Sequence, residues 1–66
     1  MTNEIGRVAG DVWRYLERNG ETSALRLRSA LKVSQSQLFL ALGWLSREEK
    51  ILLVTDEKGY RVSLKR

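Results

Sequence analysis

Apolar residues recur through the first twenty positions at the spacing of one helix face. Ile5, Val8, Ala9, Val12 and Leu16 form a single stripe. Thr2 or Asn3 is the expected N-cap, since a short polar side chain there accepts from an otherwise unpaired backbone N–H. Asn19-Gly20 supplies the left-handed turn that ends such a helix. Trp13 and Tyr15 flank the stripe, where they are expected to shield the edge of the core. A second helix, capped by Thr22 or Ser23, runs to about Leu31 with Leu27, Ala30 and Leu31 inward and Leu25 outside the stripe. Ser34 and Gln37 form a capping box that starts a third helix after a tight connection. Two short helices joined in this way make a helix-turn-helix.

Beyond Lys50 the period changes from helical to alternating. Residues 51–55 are rich in branched apolar side chains, 56–59 form a loop with Gly59 where positive φ is needed, and 60–64 alternate apolar with polar. A β-hairpin follows. Tyr60, Val62 and Leu64 share one face of its second strand, opposite Arg61, Ser63 and Lys65. The first strand is apolar on both faces, Ile51 and Leu53 on one and Leu52 and Val54 on the other. A sheet covered on one side needs only one of them.

The third helix has an unusual outer surface. Leu38, Ala41, Leu42 and Leu45 of SQSQLFLALGWLSREE (34–49) face the core. The opposite side carries Phe39, Leu40, Gly43 and Trp44, with Ser36, Gln37 and Arg47 as its polar members. Gly43 costs roughly 1 kcal/mol of helix stability relative to Ala. Its place between two aromatic residues marks a surface that another surface approaches closely. That surface is either a protein partner or, within one chain, the tail or the hairpin through Leu52 and Val54.

Composition narrows the chemistry. With 66 residues the chain is expected to be one domain, 1–66, of a size at which a core alone is marginal. It has no Cys and no His, so disulfides and soft metal ligands are missing and self-association is the favoured supplement. The same lack removes the common nucleophiles and general bases, while Glu48-Glu49 and Asp56-Glu57 are placed as solvated charges. No catalysis, cofactor, metal or small-molecule substrate is expected. No apolar run suits a membrane span, and residues 1–10 lack a secretory pattern, so a cytoplasmic location is expected. Twelve Lys and Arg against eight Asp and Glu give +4, a lean toward polyanions. Arg26, Arg28 and Lys32, with Lys58, Arg61, Lys65 and Arg66, can form a basic rim around the third helix.

Helix, helix-turn-helix and hairpin together resemble the winged helix-turn-helix fold. The run Leu40-Ala41-Leu42-Gly43-Trp44-Leu45-Ser46-Arg47-Glu48, followed by Lys50-Ile51, is similar to the signature of a family of small, stand-alone, uncharacterised winged-helix proteins of bacteria and archaea. The resemblance implies an α+β fold of three helices, a short strand after the first, and a C-terminal hairpin wing. It also implies a third helix in the major groove of double-stranded DNA, with Gln35, Ser36 and Gln37 near base edges and Arg47, Lys58 and Arg61 on phosphates. Two departures stand out: the apolar outer face of the third helix, and Arg28 where a small residue commonly packs between the helices.

Two functions therefore compete. One is a nucleic-acid-binding or transcription-associated module. The other is a homodimeric or partner-binding winged helix that does not read DNA and uses Phe39, Leu40, Gly43 and Trp44 as its contact.

Overall fold

A computed structural model describes residues 2–57 and 59–65, with side chains from Glu4 onward. Three helices, α1 (Thr2–Asn19), α2 (Ala24–Leu31) and α3 (Gln35–Arg47), cover one face of a small antiparallel sheet. Its strands are β1 (Thr22–Ser23), β2 (Ile51–Asp56) and β3 (Gly59–Leu64), in the order β1-β3-β2. This is the winged-helix arrangement.

The stripe on α1 is buried at Val8, Ala9, Val12 and Leu16, with Ile5 half-buried at its start. The expected N-cap at Thr2 or Asn3 concerns side chains outside the described set. Gly20 closes the helix at φ +81°, its N–H donating to the Leu16 carbonyl at 2.8 Å. Tyr15 packs against the core as expected, whereas Trp13 is exposed and outside the core cluster.

The second helix differs from expectation in one position. Ala24, Leu27 and half-buried Leu31 set its inner stripe, and Ala30 falls beyond the edge of that stripe and is exposed. Ser23 is the N-cap, its hydroxyl accepting from Arg26 N–H at 3.1 Å. Thr22 is instead a buried strand residue paired with Val62. Lys32 takes the left-handed conformation at φ 56° to end α2, which turns the chain into α3 within three residues.

The capping box at α3 is complete. Ser34 Oγ accepts from Gln37 N–H at 3.1 Å, and Gln37 Oε1 accepts from Ser34 N–H at 3.2 Å. Removing the hydroxyl with Ser34→Ala is expected to destabilise the domain by about 1 kcal/mol. A chemical-denaturation midpoint at unchanged slope reads this effect. Leu38, Ala41, Leu42 and Leu45 then lock α3 onto α1 and the sheet, with Ile51 and Val62 below them.

The hairpin runs in unbroken register from Ile51↔Leu64 to Asp56↔Gly59. The strands are thus one residue longer at the tip than the sequence suggests. Gly59 has φ +124°, the conformation for which glycine is needed there. Ile51 is buried and Leu53 half-buried on the helix-covered face, while Leu52 and Val54 stand 47% and 56% exposed on the other.

Candidate nucleic-acid interface

The first turn of α3 and the wing are brought together by the core residues beneath them. Leu38 anchors the start of α3, and Val62 anchors the middle of β3, so Phe39 and Tyr60 meet above them. Their rings lie 5.4 Å apart at 68°, edge to face. This corrects the placement of Phe39 on an open outer face. It is half-buried against the core and the wing, and the hairpin covers that part of α3 through Tyr60 rather than through Leu52 or Val54.

Beside this pair, α2, α3 and the wing enclose an open groove of about 620 Å³. Buried Leu38 and half-buried Phe39 supply its apolar floor, and Arg28, Gln35, Tyr60 and Arg61 line it as well. Arg28 does not pack between the helices. It is exposed and makes no ion pair among the described residues. Arg61 Nε lies 3.4 Å from Glu21 Oε2, with both side chains about half exposed. Such a pair is worth at most about 1 kcal/mol and yields readily to another anion. The Asp56 carboxyl belongs to the same lining and tempers its positive charge.

The other expected site residues are spread more widely. Ser36 is exposed on the first turn of α3 next to Gln35. Gln37 is half-buried, and its carbonyl oxygen accepts from Ser34 N–H in the capping box, so its amide N–H groups are the part of the side chain not engaged there. Arg47 is exposed at the far end of α3, twelve residues or about 18 Å along the helix from Gln35. Lys58 lies outside the described residues. Leu40 and Trp44 remain 60% and 47% exposed one helical turn apart. A Cβ added at Gly43 would meet nothing, so no contact within the chain requires glycine there.

Arg28 lines the groove as a member of the expected basic rim, and Tyr60 is a groove residue the sequence did not single out as a ligand. Arg28 was conspicuous as a misfit between helices, and its exposure explains why a long cation is tolerated. Tyr60 was legible only as an apolar-face residue of the second strand. Among the described residues there is no cluster of three or more metal-ligating side chains, and no helix is long and apolar enough to cross a membrane.

Comparison with known proteins agrees with this architecture. A family model described as Winged helix-turn-helix domain (DUF2582) matches residues 1–64. The chain belongs to that family. As a winged-helix chain it is also similar to Uncharacterized protein MJ1608 of Methanocaldococcus jannaschii, 34% identical over 68 residues, covering 98% of this chain and 96% of that protein. Among solved structures, it is similar to the Zalpha domain of Carassius auratus PKZ, crystallised in complex with Z-DNA. That likeness has a TM-score of 0.80 at 20% identity, covering 91% of this winged helix and 95% of the Zalpha chain. At that identity the likeness is one of fold.

Proposed function

We propose that this winged helix binds nucleic acid without catalysis, and that residues 1–66 act as one cytoplasmic unit. Gln35 and Ser36 approach base edges from the first turn of α3, with the Gln37 amide as an accessory donor. Arg28, Arg61 and Lys58 take phosphates on one flank and Arg47 on the other. The observation that carries this reading is the convergence of Arg28, Arg61 and Gln35 on one open groove at the start of α3. The absence of any acidic residue from the first turn of α3 favours an approaching phosphate. The fold-level likeness to a domain solved with Z-DNA supports the class of ligand, though not its helical form.

Phosphate contacts give affinity that falls with salt, and base contacts give preference among sequences. Arg61→Ala is therefore expected to weaken binding to every duplex alike and to lower the slope of log affinity against log salt by about one. Fluorescence anisotropy with two unrelated labelled duplexes, each at several salt concentrations, measures both effects. Wild-type affinity that ignores salt would contradict the proposal.

One observation favours the second function. Leu40 and Trp44 present apolar surface to solvent beside Gly43, which suits a protein contact. With Phe39 turned into the wing, however, two side chains remain where four residues were expected to share the task. On the nucleic-acid reading, Trp44→Ala leaves thermal stability within about 0.5 kcal/mol and the sedimentation mass unchanged. A fall in mass with intact fold would transfer the assignment to a protein interface.

A further inference from the structure

Strand β2 lies at an edge of the sheet, bonded to β3 on one side and to no strand on the other among the described residues. Edge strands normally carry a charge, a proline or a bulge that discourages a second strand from pairing. Residues 51–55, ILLVT, carry none of these, and their register with β3 is unbroken. We propose that β2 pairs antiparallel with β2 of a second copy of this chain, joining two three-stranded sheets into one of six strands.

The backbone sets which groups face the free edge. Lys65 N–H donates to the Lys50 carbonyl at 3.0 Å, so Lys50 opposite Lys65 is a hydrogen-bonded position of the β2/β3 ladder. Antiparallel ladders alternate, so Leu52 and Val54 also direct their N–H and C=O groups toward β3. Ile51, Leu53 and Thr55 direct theirs outward. A two-fold pairing centred on Leu53 sets Ile51 opposite the second copy's Thr55, and Leu53 opposite its counterpart. Every outward group then meets its complement.

Side chains select the same register. On the solvent face of β2 the order is Lys50, Leu52, Val54, Asp56, with the two apolar members exposed. Run against itself about Leu53, this series places Lys50 opposite Asp56 and Leu52 opposite Val54 at both ends of the pairing. Moving the centre to Leu52 sets Lys50 against Val54, and moving it to Val54 sets Leu52 against Asp56. Only the Leu53-centred pairing gives opposite charges at each end and apolar contact between. Asp56 keeps a contact within its own chain, and its carboxylate, with about four lone-pair sites, accepts from a second cation as well.

Six-residue strands are only about 20 Å long, so the contact is smaller than the roughly 1,600 Å² of a standard interface. Association is accordingly weak and has to be sought at high concentration. Sedimentation equilibrium from about 10 µM to about 1 mM should show the average mass rising toward that of a dimer. Val54→Lys should stay monomeric across that range. Lys50→Glu sets Glu against Asp, and Asp56→Lys sets Lys against Lys, so each alone should associate at least tenfold more weakly than wild type. Their equimolar mixture restores both opposite-charge pairs and should associate at least tenfold better than either alone. Amide exchange gives an independent signature: Ile51, Leu53 and Thr55 slow as wild-type concentration rises, while Leu52 and Val54 do not change. If Asp56→Lys fails to fold, Lys50→Glu, Val54→Lys and the exchange pattern decide. A wild type that stays monomeric at the highest concentration overturns the proposal. So does a dimer indifferent to Val54→Lys, or exchange protection that ignores the odd and even alternation.

Discussion

Leu42→Ala is expected to leave this protein largely unfolded at 37 °C, whereas Leu40→Ala, two residues away on the same helix, is expected to leave it intact. Leu42 is fully buried where α3 meets the core, and Leu40 is 60% exposed. Emptying a buried leucine site costs about 2–5 kcal/mol, because the surroundings collapse only partly into the space. A chain of 66 residues has total stability on the order of 3–10 kcal/mol. One core truncation therefore consumes a large part of the margin, and the melting midpoint should fall by roughly 10–30 °C. Thermal unfolding followed by circular dichroism separates the two variants. Equal losses for Leu40→Ala and Leu42→Ala would mean that α3 does not pack with the face described.

Arg28→Glu is expected to have the largest effect on ligand binding with the least effect on fold. The side chain is exposed and without an ion pair among the described residues, so reversing its charge disturbs no partner within the chain. Loss of one phosphate contact costs about tenfold in affinity near 0.1 M salt, from a salt slope of about 0.9 per contact. A carboxylate at the same place adds repulsion, and the total is expected to reach roughly a hundredfold. Anisotropy titrations at fixed salt measure the loss, and circular dichroism checks the fold. Unchanged duplex affinity would remove the groove from the binding surface.

Much of the architecture is legible from local pattern because local pattern causes it. The α1 stripe, the Asn19-Gly20 stop and the Ser34 capping box each involve residues within one or two turns of one another, and each is present in the structure. The hairpin is legible for the same reason, through alternation and Gly59. Phe39 was harder. A helical wheel places it beside Leu40 and Trp44, but Tyr60, more than twenty residues later, determines that it is covered. Ala30, expected inward, is exposed, and Ala24, directly after β1, completes the buried stripe of α2; a two-residue strand has no periodicity from which that start can be read.

The groove illustrates the same limit for function. Its cations come from α2 and β3 and its amide from α3, so no contiguous motif joins them. Arg61 is expected on phosphate by the wing's role in the fold, and of the wider basic rim read from the sequence the structure brings Arg28 to the same groove. The apolar outer face of β2 was visible in the sequence as an excess over what one covered sheet face requires. Its ordering between Lys50 and Asp56 acquires meaning only once β2 is seen to be the edge.

Nucleic acid is proposed to dock at the start of α3 beside the wing. Amide NMR spectra of labelled protein, titrated with a mixed-sequence duplex at low salt and then returned to higher salt, test this docking most directly. Shifts are expected to concentrate at Arg28, Gln35, Ser36 and 59–61 and to reverse as salt rises, with the outer face of β2 silent. Shifts absent at saturating duplex, or confined to residues away from the groove, would contradict it.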